Sequence, residues 1–230
     1  LVKEKALRVC GAALEAALCV YLGVFAVGLE LHRTVERQVA GFSTGSAEAF
    51  MEQTRKWIRM DWFDKEQNQL NFVGNAMLLG EPQYEEDTLR YVRALRNSGT
   101  YPACTGLAQY YYLPRGEFEE LFAVSREGLA QEASSRDAWN QQVEFYRRDV
   151  LSVAGAERMD AFLDGVLALA EYLDAYSQGR QEEIALTEEN RAFLERAEQA
   201  RENGLEGEAA LLYLSLPLGA PEAGDEAPAP

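Results

Sequence analysis

Along most of this chain apolar residues recur at three- and four-residue spacing, the period of an amphipathic helix, and no stretch alternates convincingly as a strand. One segment departs from that pattern. Val9 to Leu29 reads VCGAALEAALCVYLGVFAVGL, 21 residues with a single charge, Glu15. At about 1.5 Å rise per residue such a helix covers roughly 30 Å, the thickness of a bilayer's hydrocarbon. Gly11, Gly23 and Gly28 are commoner in spanning helices than in soluble ones. The run is longer than the core of a signal peptide, and LHRTVERQ continues it in helical register without a small-residue cleavage site. The pattern therefore predicts one transmembrane helix with a juxtamembrane extension, residues 1–40. Glu15 needs the interface or a neighbouring span, and together with a start at Leu1 rather than methionine it predicts a longer, multispan parent. Lys3, Lys5 and Arg8 precede the run while Arg33 and Arg37 follow it, which leans the N-terminal side toward the cytoplasm.

Beyond residue 41 the helical pattern is punctuated by start and stop chemistry. Ser46 is placed to cap a helix to about Met60, and Asp64 one to about Leu79, before Gly80 and Pro82 interrupt. Further helices are predicted over Tyr84–Arg96, Thr100–Leu113, Glu117–Gln131, Ser135–Arg148 and Ala156–Ser177. A last one, capped by Thr187, ends at Asn203-Gly204. Residues 41–207 form the predicted helical domain. Residues 208–230, which from Leu216 become rich in Pro, Ala, Gly and acid, form a predicted disordered tail.

A 34-residue shift brings Tyr84-Glu85-Glu86 onto Phe118-Glu119-Glu120, Ala94 onto Gly128, Thr105 onto Trp139 and Tyr112 onto Tyr146. Two short helices per 34 residues is the tetratricopeptide period, so the fold class read here is all-α, a tetratricopeptide-like stack of helical hairpins preceded by one transmembrane helix. Units are expected to start near residues 68, 102 and 136. Small residues at Gly74, Ala94, Ala108 and Gly128 would let helices approach, and Trp139, Tyr112, Tyr146, Phe118 and Phe122 would form the core. On this phase Gly106 and Tyr110, with their equivalents Asn140 and Glu144, face a concave groove with Arg147 at its edge. Tyr110, Asn140, Glu144 and Arg147 are thus the candidate binding residues, for an extended protein segment or a glycan.

Charge narrows the partners. The 230 residues carry 22 Lys and Arg against 38 Asp and Glu, and 17 against 34 of these lie in residues 41–230, so nucleic acid would be repelled. A single histidine, His32, and three cysteines provide no zinc-ligand cluster, no histidine-dependent triad and no disulfide framework. Cys10 and Cys19, nine residues apart on one helix, are about 13 Å apart along its axis and cannot bridge. Cys104 reads as a packing thiol. The acid pairs Glu85-Glu86, Glu119-Glu120 and Glu182-Glu183 splay about 100° apart on a helix and do not face each other across a cleft. With no GxxxxGK, GxSxG or HExxH, the chain offers no catalytic residue, no cofactor site and no metal site.

Three stretches carry a family likeness. Met60–Met77, MDWFDKEQNQLNFVGNAM, resembles the start of the helical C-terminal region of bacterial O-antigen ligase-like membrane proteins. So does Asp137–Tyr146, DAWNQQVEFY, and Ile184–Leu194, IALTEENRAFL, is similar to that region's closing helix. The resemblance implies that Val9–Leu29 is the last span of a many-span membrane body that transfers or extends lipid-linked polysaccharide on the outer side of the bacterial cell membrane. It implies an extracytoplasmic helical domain after that span. The residues that catalyse transfer in that family belong to membrane segments absent from these 230 residues. A membrane-tethered tetratricopeptide adaptor that binds protein segments is the other expectation.

Overall fold

The computed structural model describes residues 2–41, 46–180 and 184–217, the side chains of 2–12 and 41 excepted, and among these residues every regular element is helical. Helix α1 (Val2–Gly41) runs without a break through the apolar segment and its polar extension. Between Leu14 and Val27 every large apolar side chain is 46–73% exposed, so this stretch is not the buried core helix of a water-soluble fold. By length and composition α1 is able to cross a membrane.

The chain divides into two compact units, residues 1–92 and 93–230. In the first, α2 (Ala47–Met60) folds back antiparallel along the extension of α1. Gln38 Oε1 accepts from Gln53 Nε2 at 3.1 Å and from Trp57 Nε1 at 2.9 Å, and Val35 is buried beside them. Helix α3 (Lys65–Leu79) packs on α2 and ends where Gly80 takes a left-handed φ of 64°. Pro82–Tyr84 forms a 3₁₀ turn into α4 (Glu85–Ser98), which runs from the first unit into the second. The first core is aromatic. Phe72 meets Tyr84 and Tyr91 edge-on, and Arg55 lies over Phe72 and Tyr84 while paired to Asp87 at 2.6 Å.

The second unit is also made of helices packed on one another. Helix α5 (Tyr101–Leu107) passes through a π-helical segment, Ala108–Tyr112, into α6 (Leu113–Arg115), and after a left-handed turn at Gly116 is followed by α7 (Phe118–Gln131). Helix α8 (Arg136–Phe145) likewise passes through a π-helical segment, Tyr146–Val150, into α9 (Leu151–Ala154), and α10 (Met159–Arg180) follows. Then come α11 (Glu188–Glu202) and α12 (Gly207–Leu214). Helix α7 packs on α5 and α10, α10 on α11 and α12, and α11 on α8 and α12.

Packing is tight where small residues sit. A Cβ at Gly128 would lie 2.6 Å from the Cβ of Cys104, and one at Gly165 would run into the Phe122 ring. Trp139, Tyr146, Tyr112 and Phe118 are buried as expected, with Trp139 against Tyr172 and Tyr176. Ala94, read as an approach point, is exposed instead, and Gly74 is only half-buried.

Three sequence readings change. Asp64 does not cap α3 with its side chain; Asp61, three residues earlier, takes the amides of Phe63 and Asp64 at 3.0 Å each. The ordered chain passes the boundary drawn at residue 207, because α12 buries Ala210 and Leu214. Helices α5, α8 and α11, capped by Thr100, Ser135 and Thr187, begin at Tyr101, Arg136 and Glu188, so a spacing near 34 residues joins the first two and is lost at the third. The 22-residue length of α10 is one reason. The remaining tail, 218–230, Glu182-Glu183 and the side chain of Cys10 lie outside the described residues.

Candidate functional site

The expected groove residues do not act as one surface. Tyr110 is 43% exposed on the first π-helical segment. Gly106, its neighbour in the predicted groove, is buried. Asn140 is engaged in a contact with the start of α11. Its Oδ1 accepts from the Thr187 amide at 2.8 Å and from Asn190 Nδ2 at 3.0 Å, while its Nδ2 donates to the Ala185 carbonyl at 3.2 Å. Asn190 Nδ2 also donates to the Asn140 carbonyl at 2.9 Å. A side chain so occupied ties α11 to α8. Glu144 pairs with Arg148 at 2.9 Å and Arg147 with Glu189 at 2.8 Å, both near the second π-helical segment.

That segment is where chemistry gathers. A π turn inserts one residue into the helix, and here Leu151 N–H reaches back to the Tyr146 carbonyl. The flank Arg147–Asp149 lies between two open clefts. The larger, about 500 Å³, is walled by Arg147, Arg148 and Ser152 on one side and by Glu189, Phe193 and Arg196 of α11 on the other, with Leu211, Leu214 and Leu216 as its apolar floor. Arg196 donates to the carbonyls of Leu216 and Pro217, which fixes the end of the described chain at the rim. The smaller cleft, about 380 Å³, is lined by Tyr101, Thr105, Gln109, Gln141, Glu144 and Asp149. Burial pushes the Tyr101 phenol up, with Glu132 adding to the shift, so the phenol stays a neutral donor, in contact with Gln141 Oε1 at 3.3 Å. The three guanidinium groups over this apolar floor are already engaged, Arg147 with Glu189, Arg148 with Glu144 and Arg196 with the Leu216 and Pro217 carbonyls, so a phosphate or carboxylate binding here has to displace those partners. Arg148, Ser152 and Arg196 escaped the sequence reading; the signal was the adjacent Arg147-Arg148 pair in so acidic a chain.

A second cluster lies in the first unit. His32 of α1 donates from Nδ1 to Asp61 at 3.1 Å, with Asp64 3.7 Å away and Glu36 3.6 Å from Nε2. The hydrogen bond to Asp61 is the largest influence on the imidazole and raises its pKa above the ordinary 6.5. One donor atom from each of His32, Asp61 and Asp64 falls within 4.8 Å of the others, a proximity the sequence reading of no metal-ligand cluster did not foresee. Asp61 is buried and its carboxylate is occupied by the imidazole and two backbone amides, so the arrangement is a hydrogen-bonded latch between α1 and the α2–α3 corner.

No family model, no curated sequence and no solved structure matches this chain.

Proposed function

We propose that this chain is a membrane-anchored, tetratricopeptide-like module held outside the cytoplasmic membrane, the accessory domain of an O-antigen ligase-like protein acting in surface-polysaccharide transfer or polymerisation. The observation that carries the anchor is α1, whose apolar stretch is long enough to cross a bilayer and, among the described residues, stays largely exposed from Leu14 to Val27. The packed helices of the second unit give the module its form, and the arginine-walled cleft gives it a place for anionic groups on a glycan. In this reading the module binds and positions polymer while chemistry belongs to membrane segments outside these residues.

Binding tests the reading. The full chain in detergent, titrated with poly(glycerol phosphate), is expected to saturate, and Arg148→Glu is expected to weaken that binding several-fold. Neutral dextran serves as the uncharged comparison. Saturation by an acidic peptide but not by the polymer transfers the cleft to the adaptor function, in which it holds protein segments. No saturation by either removes the ligand-binding role.

A further inference from the structure

We infer that Trp62 and Phe63 form a second membrane contact, an aromatic foot seated at the headgroup–acyl boundary beside the point where α1 leaves the bilayer. The inference rests on the reading of α1 as a span.

Register leads to it. Helix α2 retraces the extension of α1, with Gln53 and Trp57 opposite Gln38 and Asp61 opposite His32. Fourteen residues of α2 return the chain by about 21 Å. The corner that follows therefore sits level with Gly28, at the end of the apolar run. There a Cβ on Gly28 would lie 3.2 Å from each of the Trp62 and Phe63 rings, and Phe63 meets Phe25 edge-on at 5.6 Å. Glycine at this position admits both rings to the helix.

The corner is held in that pose. Asp61 takes the amides of Phe63 and Asp64 and bonds to His32. Yet Trp62 is 55% and Phe63 47% exposed, in one apolar surface with Phe25, Val24 and Tyr21. Two adjacent aromatic side chains fixed outward would be a liability in water. At the edge of a span they are the side chains that interfaces favour, each with an apolar body, the indole with a polar edge as well. Exposed Arg59 and Lys65 flank the corner in sequence and suit lipid phosphates, with the exposed Asp64 carboxylate between them.

Tryptophan quenching tests this on the full chain reconstituted in vesicles of equal parts phosphatidylcholine and phosphatidylglycerol. Trp57 and Trp139 are buried, so Trp62 is the one tryptophan of three placed to meet lipid. Lipids brominated near the headgroup are expected to quench a component of the wild-type emission that is missing in Trp62→Phe, and lipids brominated at the chain ends to quench it less. Equal quenching of both proteins, with Trp62 open to aqueous acrylamide, overturns the foot. Trp62 shielded from acrylamide and from bromolipid alike also overturns it, in favour of a protein cover. Cys19, exposed on α1, separates this from the span itself in a Cys10→Ser, Cys104→Ala background. Protection of Cys19 from an impermeant maleimide without lipid quenching of Trp62 leaves the span and removes the foot. Labelled Cys19 removes the span and with it the foot as placed here, and quenched Trp62 in that case reports contact of the corner with the bilayer surface alone.

Discussion

Asn140 carries more stability than its half-exposed position implies, because its side chain satisfies the Ala185 carbonyl and the Thr187 amide, 45 and 47 residues away. Replacement by alanine leaves the Thr187 amide and Asn190 Nδ2 without their side-chain acceptor. The expected loss is about 1–3 kcal/mol in urea unfolding. Tyr110→Ala, at an exposed site, is expected to change stability by no more than about 0.5 kcal/mol. The sequence reading placed both residues toward one groove, from the first helices of successive units, and periodicity could do no more. Which face meets α11 depends on a contact across the loop after α10, and spacing within α8 holds no record of it. His32 shows the same limit, since its partner lies 29 residues on. Its raised pKa stabilises the fold by favouring the protonated form. That contribution is complete below the unfolded value of 6.5 and is lost as pH rises through the higher folded value. The groups facing the imidazole are Asp61, Asp64 and Glu36. His32→Gln keeps a neutral donor, so its melting temperature is expected to fall below wild type in acid and to converge with it in alkali.

At the scale of elements, local chemistry was legible and insertions were not. Ser46, Ser135 and Thr187 accept from the amides three residues on, as capping residues do. Helix starts therefore fell within a few residues of expectation. The π turns were invisible, because adding one residue to a helix shifts its face by a single position while leaving three- and four-residue spacing on either side. They displace Tyr112 and Tyr146 relative to each other: the first closes its π segment and the second opens one, although the 34-residue shift aligned them. Glycine at close approaches was readable in part. Gly128 is such a point in the repeat pattern, while Gly165, which faces the Phe122 ring, lies outside that pattern. Gly128→Ala sets a Cβ against the Cβ of Cys104, which has no rotamer by which to withdraw, so α5 and α7 must separate. The expected cost is about 1–3 kcal/mol by thermal or urea unfolding. Gly179→Ala, where nothing lies within 4 Å, is the contrast, with little or no loss.

For the whole molecule the question is where the apolar segment of α1 stops and the packed helical domain starts. Composition ends the span at Leu29 but starts the helical domain only at residue 41, leaving the residues between as a juxtamembrane extension. Packing starts the domain earlier. Val35 is buried, Gln38 holds the Trp57 indole and His32 holds Asp61, so the extension after Leu29 is part of the first unit's wall. A chain beginning at Glu30 sheds the exposed apolar side chains Leu14 to Val27 and keeps that wall. It is expected to be soluble without detergent, monodisperse on gel filtration and cooperative in its helical melt. A chain beginning at Gly41 uncovers one side of Trp57 and removes the imidazole partner of Asp61. Its loss is on the order of 2–4 kcal/mol, from one buried valine and the Gln38 hydrogen bond. Equal melting temperatures for the two chains would show that α1 ends its structural role at the bilayer, and that the His32–Asp61 latch holds nothing the rest of the first unit does not already hold.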